Sequence, residues 1–373
     1  MPRYVIEEAA LRRNLEILKG VADRSGAKIL LAQKAYSCTA TYQLCAKYLA
    51  GTTASSLFEA KHGHDHFGGE THVFAPAFVP EEIDEILSLV DHIVFNSPRQ
   101  VEKFGEMAKR RCVSVGLRVN PEVSVATTLA YDPCRSGSRL GTTRAALDAA
   151  AAGCQIIDGL HFHCLCEQGV DELRKVLAGF EERFGDLLPR MKWVNFGGGH
   201  HITRDGYDVD GLVTLIVGFR TRHPHLAVYL EPGEAIALNA GTLESRVLEV
   251  QPPGGDGIAN AILDVSAACH MPDVLEMPYT PRVTGARPLQ SSALFRYRFG
   301  GPTCLAGDVI GEYAFERPLA EGDAIVFEDM AIYTMVKNNT FNGVNLPDIA
   351  IRYADGSEET IRRFGYDDFA ARL

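Results

Sequence analysis

The sequence predicts an α/β protein, a (β/α)8 barrel of the TIM type followed by a mostly antiparallel β domain. Three observations carry this reading. Eight short apolar runs, rich in β-branched residues, alternate with longer amphipathic stretches over about the first 230 residues. Their number and spacing match such a barrel. After about residue 235 the alternation stops, and Gly, Pro and short β-like runs take over.

A helix over 7–24 precedes the first run, AKILLA (27–32). The others are TTASS (52–56), THVFA (71–75), DHIVF (91–95), VSVGLRV (113–119), IIDGLHFH (156–163), KWVNF (192–196) and LAVYL (226–230). Near-continuous apolar character suits strands buried on both faces. Helices are expected near 39–50, 57–66, 80–90, 97–111, 143–153, 168–188 and 209–223. Ser97 before Pro98 is a helix start, and Asp210 falls early in its segment. An open doubly wound sheet is the competing architecture for the same alternation. The expected domains are 1–235 and 236–373, the second built from runs such as TLESRVLEV and DAIVFEDM.

Composition narrows the class. The chain has 373 residues, 46% hydrophobic and 23% charged, with a mean hydropathy of −0.04, which is ordinary for a globular protein. No apolar run approaches the roughly 20 residues that span a bilayer. The opening MPRYVIEEAALRRN lacks an apolar leader core, and the nine cysteines form no paired framework, so a reducing cytoplasmic location is expected. A net charge of −11 argues against a nucleic-acid partner and suits a cationic substrate.

In a barrel of this kind chemistry sits at the C-terminal strand ends, and the unusual residues fall there. Lys34 follows the first run, where it is either a solvated loop lysine or a partly desolvated amine nucleophile. Arg118 and Asn120 end the fifth run, and His161 and His163 the sixth. Gly197, Gly198 and Gly199 follow the seventh, either as a flexible turn or as a phosphate cradle. Glu231, Pro232 and Gly233 end the eighth. A buried carboxylate there needs a partner, either a structural ion pair or a protonated heterocyclic nitrogen. His161 and His163 share one strand face, but ligands crowded on one strand do not converge tetrahedrally, so no metal is assigned. The better use of His163 is stacking on an aromatic ring. HGHDHFGGETH (62–72) reads as a polar loop. Cys304 and Asp308 lie in a Gly-rich loop, and Tyr333 and Phe341 in a segment that also reads as core.

Taken together, LLAQKAYS, GLHFHC, NFGGGHH, YLEPGEA, GGPTCLAGDVIG and EDMAIYTMVKNNTFNG resemble, in order from about residue 28 to 343, the fold-type III pyridoxal-phosphate decarboxylases. These include the enzymes acting on ornithine, arginine and diaminopimelate. HFHCLCE and NFGGGHHIT are most similar to the branch acting on the carboxylated polyamines carboxynorspermidine and carboxyspermidine. The resemblance implies a homodimer with shared active sites, pyridoxal 5′-phosphate as cofactor, and segments of 300–343 returning to the active site. It implies Lys34 as the covalent anchor of the cofactor and His163 as the residue stacked on its ring. Gly198, Gly199 and neighbouring amides would hold the phosphate, helped by Tyr333; Gly233 would be a further cofactor contact, Glu231 would pair with the ring nitrogen, and Arg118 would lie close beneath. Cys304 would come from the partner subunit and face the reacting carbon.

Two departures bear on substrate. Cys164-Leu165-Cys166 replaces the usual Gly- and Ser-rich continuation after the stacking histidine, and Glu234 stands where an arginine often follows EPG. Both turn away from ornithine and diaminopimelate. Glu234 and Asp273 are candidate partners for distal ammonium groups, although Asp273 reads equally as a helix cap. A racemase on this fold generally places arginine beside the ring nitrogen, which Glu231 disfavours. A non-catalytic, regulatory relative would have lost cofactor contacts that this chain keeps.

Overall fold

The computed structural model describes residues 2–150, 153–287, 289 and 295–373. The chain divides into two compact units, Arg13–Ile236 and Met1–Arg12 with Ala237–Leu373. It opens with β1 (Arg3–Glu7) and α1 (Glu8–Ser25). The first unit is a closed barrel of eight parallel strands. They are β2 (Lys28–Ala32), β3 (Gly51–Ala54), β4 (Glu70–Phe74), β5 (His92–Phe95), β6 (Ser114–Arg118), β7 (Gly159–His161), β8 (Trp193–Asn195) and β9 (Ala227–Leu230). Each overlaps one of the eight runs read from the sequence. Closure comes from β2 pairing with β9, Lys28 opposite Tyr229 and Ile29 opposite Leu230.

The intervening helices are α2 (Thr39–Cys45), α3 (Leu57–His66), α4 (Ile83–Leu87), α5 (Pro98–Arg110), α6 (Arg144–Ala149), α7 (Val170–Phe184) and α8 (Val209–Arg222). Ser97 caps α5 by accepting from the Gln100 amide, with Pro98 at the first helical position. The cap of α8 is Asp208, whose side chain accepts from Gly211 N, so Asp210 lies inside the first turn. HGHDHFGGETH is not a loop: it closes α3 and opens β4, because Ser56 caps α3 and Glu70 begins pairing with Gly51.

Trp193 fills the barrel interior together with Leu30, Val94 and Tyr229. Two strand glycines, Gly116 within β6 and Gly159 at the start of β7, make room for it. A Cβ at Gly159 would lie 2.1 Å from Trp193 Cδ2, and one at Gly116 2.5 Å from its Cη2. The indole N–H donates to Ser114 Oγ at 2.9 Å. Nearer the N-terminal strand ends, Glu70 accepts from Lys28, from Tyr229 at 2.9 Å and from His72 at 3.0 Å. His72 stacks on His92, with centroids 4.0 Å apart and planes at 8°.

The second unit holds an eight-stranded sheet, mixed but mostly antiparallel, in the order β13-β12-β11-β10-β1-β15-β16 with β14 also on β10. After α9 (Glu234–Ala237) come β10 (Gly241–Gln251), β11 (Ala259–Leu263), α10 (Ala267–His270), α11 (Asp273–Glu276), β12 (Phe295–Gly300) and β13 (Val309–Phe315). They are followed by β14 (Ala324–Glu328), β15 (Asp348–Arg352), β16 (Glu358–Arg362) and α12 (Tyr366–Ala370). The sequence boundary of 1–235 therefore differs from the observed division at the N-terminus. RYVIE, short and run directly into a helix-forming stretch, is a strand because β10 and β15 pair with it on either side. Among the described residues, no helix is long and apolar enough to cross a membrane.

Candidate active site

The C-terminal ends of β2, β6, β7, β8 and β9 bring Lys34, Arg118, His163, the glycine turn and Glu231 to one mouth of the barrel. The approach of β2 to β9 depends on Gly233, where a Cβ would lie 2.5 Å from Ala35 Cβ and 3.2 Å from Ala32 Cβ. Lys34 is reachable by water, yet protein crowds its ammonium from most sides. Burial therefore lowers its pKa below the usual 10.5, and the Arg118 charge lowers it further, against the pull of Glu231, Glu59 and Cys166. That favours the neutral amine, the nucleophilic form.

Arg118 is 4% exposed, and burial holds its pKa at about 10. It donates to the His163 carbonyl at 3.1 Å, and its guanidinium lies 4.6 Å from the Phe74 ring centroid. His163 is kept neutral, its pKa well below normal through burial and the charges of Lys34 and Arg118. Its Nδ1 accepts from the Gly198 amide at 2.9 Å, which leaves the ring proton on Nε2. The turn fixes the orientation of this imidazole.

The turn itself needs its glycines. Gly197 and Gly199 have φ of 70° and 81°, in the left-handed region that glycine enters freely. A Cβ at Gly198 would lie 2.3 Å from Glu231 O, and one at Gly199 2.1 Å from Leu165 O. The Gly197 amide is committed to Asn195 and that of Gly198 to His163.

Glu231 is 11% exposed and faces His161 Nε2 at 3.3 Å, while Asn195 Nδ2 donates to its other oxygen at 2.7 Å. Burial alone would raise the carboxyl pKa. His161, His72 and the Asn195 bond outweigh it and hold the group below the usual carboxylate range, so it is ionised at neutral pH. Glu234 lies 3.1 Å from the ring of His201, which is 8% exposed. Glu167 also approaches them, with a left-handed φ of 59°. Burial first, then Glu167 and Glu234, push the half-buried Cys166 thiol up to about 11.

Asn195, Phe74 and His201 were not among the residues read from the sequence. Asn195 carried a signal, a polar residue inside the apolar run KWVNF. Phe74 looks like any strand aromatic until Arg118 lies over it.

The remaining expected residues belong to the second unit. Cys304 is an exposed free thiol whose amide donates to Asn342 Oδ1 at 2.9 Å. Its loop is held by the buried Asp308, which accepts from Ser266 Oγ at 2.9 Å, Thr303 Oγ1 at 2.6 Å and Ala268 N at 3.2 Å. Asp273 starts α11 and bonds Lys337 at 2.5 Å, so a cation already meets its charge. Tyr333 is half-buried with φ of 45°, one of three left-handed non-glycine residues in 328–343 with Asp329 and Asn342. Phe341 is 45% exposed and is not core.

Residues 4–331 match the family described as pyridoxal-dependent decarboxylase, C-terminal sheet domain. The chain belongs to the pyridoxal-dependent decarboxylases. It is 45% identical to the carboxynorspermidine/carboxyspermidine decarboxylase of Campylobacter jejuni over 385 residues, covering 100% of this chain and 98% of that one. It is 44% identical to the carboxyaminopropylagmatine decarboxylase of Synechocystis over 373 residues, covering 100% and 95%. The crystal structure of carboxynorspermidine decarboxylase from Campylobacter jejuni, complexed with norspermidine, superposes with a TM-score of 0.92 at 42% identity over all of both chains.

The barrel mouth fits the pyridoxal phosphate of this decarboxylase family. A lysine amine of lowered pKa, a neutral imidazole held by a glycine turn and an ionised carboxylate share one mouth. They are the groups that an aldehyde, a flat ring and a protonated ring nitrogen require.

Proposed function

We propose that this chain removes the α-carboxylate of carboxynorspermidine and carboxyspermidine, giving norspermidine and spermidine in polyamine synthesis, as a cytoplasmic homodimer. The observation that carries this reading is 45% identity over the full length of both proteins to a decarboxylase named for these two substrates. The barrel mouth described above supports it.

When bound, pyridoxal phosphate supplies an aldehyde for the substrate amine and a protonated ring that takes up the electron pair left by departing carbon dioxide. Lys34 holds the cofactor, and its lowered pKa keeps the amine available for that bond. Glu231 keeps a proton on the ring nitrogen, because an ionised carboxylate beside it favours the charged ring. His163, held by Gly198 N and, through its carbonyl, by Arg118, would be the residue that stacks on the cofactor. Gly198, Gly199 and Gly233 allow close backbone approach at the phosphate, and the family resemblance adds Tyr333. Cys304, contributed by a second copy of the chain, returns a proton to the reacting carbon; its exposure on the second unit suits that role. Glu234 receives a distal ammonium of the substrate. Asp273 does so only by sharing its charge with Lys337.

The Synechocystis relative, at 44% identity, favours a second reading in which the distal group is a guanidinium. The two polyamine substrates differ by one methylene, worth about 1–3 kcal/mol of discrimination, so both are expected to turn over. Carbon dioxide release from purified holoprotein should be compared for carboxynorspermidine, carboxyspermidine, carboxyaminopropylagmatine, meso-diaminopimelate, ornithine and arginine. The proposal predicts the largest kcat/KM for the first two. A larger value for any of the others overturns it.

A further inference from the structure

The surroundings of Glu231 extend the reading that it faces the ring nitrogen, and the inference drawn from them rests on that reading. Asn195 is fully buried, and its amide is oriented by two bonds. Oδ1 accepts from Gly197 N at 2.8 Å, so Nδ2 must turn to Glu231, which it reaches at 2.7 Å. His161, 2% exposed, presents Nε2 to the other carboxylate oxygen at 3.3 Å. Its Nδ1 is buried and has no hydrogen-bond partner among the described residues. A second ring proton on Nδ1 would be stranded there, so the imidazole stays neutral with its proton on Nε2. The ring is fixed against Phe74, with centroids 5.6 Å apart and planes at 26°. Phe74 in turn lies beneath Arg118 at 4.6 Å.

Two neutral N–H donors thus hold the carboxylate without cancelling its charge. A lysine or arginine in either place would neutralise the anion before the cofactor could use it. Asn195 also ties the carboxylate to the glycine turn, so the proposed nitrogen-facing and phosphate-facing groups share one rigid link.

We infer that His161 and Asn195 are positioning residues for the reaction: as neutral donors they keep Glu231 ionised, un-neutralised and aimed at the ring nitrogen of the cofactor. Neither touches the reacting atoms.

The test uses holoprotein loaded with pyridoxal phosphate labelled with ¹⁵N in the ring, with NMR reporting whether that nitrogen is protonated between pH 6 and 9. In the wild type it is protonated throughout. In His161→Phe, which keeps the stack on Phe74 but loses the donor, it loses its proton within this range. There kcat falls roughly 10- to 100-fold, the expected effect of losing a hydrogen bond to a charged group, while KM changes little. His161→Gln, which restores an N–H, recovers the protonated signal. Asn195→Ala carries the same expectation as His161→Phe, so the test stands if one variant does not fold. Glu231→Gln separates the two levels. If the signal is unchanged in Glu231→Gln, the reading of Glu231 fails, and this inference with it. If Glu231→Gln shifts the signal but both His161→Phe and Asn195→Ala leave it as in the wild type, the inference alone is overturned.

Discussion

At the residue scale, the site is governed by buried groups kept in one protonation state. His200, next to the glycine turn, shows the cost. It is 1% exposed, and burial lowers its pKa to about 4. A histidine whose folded pKa is depressed binds its proton more readily in the unfolded chain. Its contribution is therefore intact above the unfolded pKa of about 6.5 and is lost as the pH falls towards 4. At pH 5 the loss is about 2 kcal/mol. Thermal melts of the holoprotein at pH 7.5 and pH 5 should show a lower Tm at the acid value, with a smaller drop in His200→Gln; an equal drop in both contradicts the assignment. Which residues reach the strand ends was legible from sequence, because the periodicity places Lys34, Arg118, His163 and Glu231 there. What each one bonds was not. The link from Gly197 through Asn195 to Glu231 joins the ends of β8 and β9, whose contact exists only once those strands pair, and His201 meets Glu234 across the same pair of strand ends.

At the element scale, the barrel is set by what fills it. A single tryptophan on β8 occupies space that β6 and β7 vacate with glycines at 116 and 159. Gly159→Ala puts a methyl group into that indole and should destabilise the protein by about 1–3 kcal/mol, as overpacking does. Made in a Trp193→Phe background, the same change should cost less, since the smaller ring leaves room. Denaturant unfolding of the four proteins checks this, and equal costs in both backgrounds would contradict it. Most of the eight strands were legible as short apolar runs, and β3 (GTTA) by its β-branched threonines and its place in the alternation. Helix lengths were less so. The expected helix at 39–50 stops at Cys45 and the one at 80–90 covers only Ile83–Leu87, since past each C-terminal end the apolar residues continue in tight turns, such as Lys47 N to Leu44 O and Leu89 N to Ile86 O, and not in an unbroken α-helical ladder. β1 was illegible because its partners lie more than 230 residues away, at Gly241–Glu244 and Asp348–Arg352.

At the scale of the whole molecule, the lysine and the acid–base thiol of the proposed reaction lie in different units of the chain, Lys34 in one and Cys304 in the other. If a second copy supplies Cys304, each active site draws on two chains. Lys34→Ala and Cys304→Ala, each inactive alone, should then recover up to about a quarter of wild-type activity when mixed and allowed to exchange, since half of the dimers are mixed and each carries one intact site. No recovery, with exchange shown by mass spectrometry, would contradict the shared site. The proposed reaction depends first on Lys34, the amine just past the first barrel strand, as the anchor of the cofactor. Borohydride reduction of the holoprotein, followed by digestion and peptide mass spectrometry, tests it most directly. A phosphopyridoxyl group is expected on Lys34 alone; finding that group on another lysine, or on none, would rule out Lys34 as the anchor.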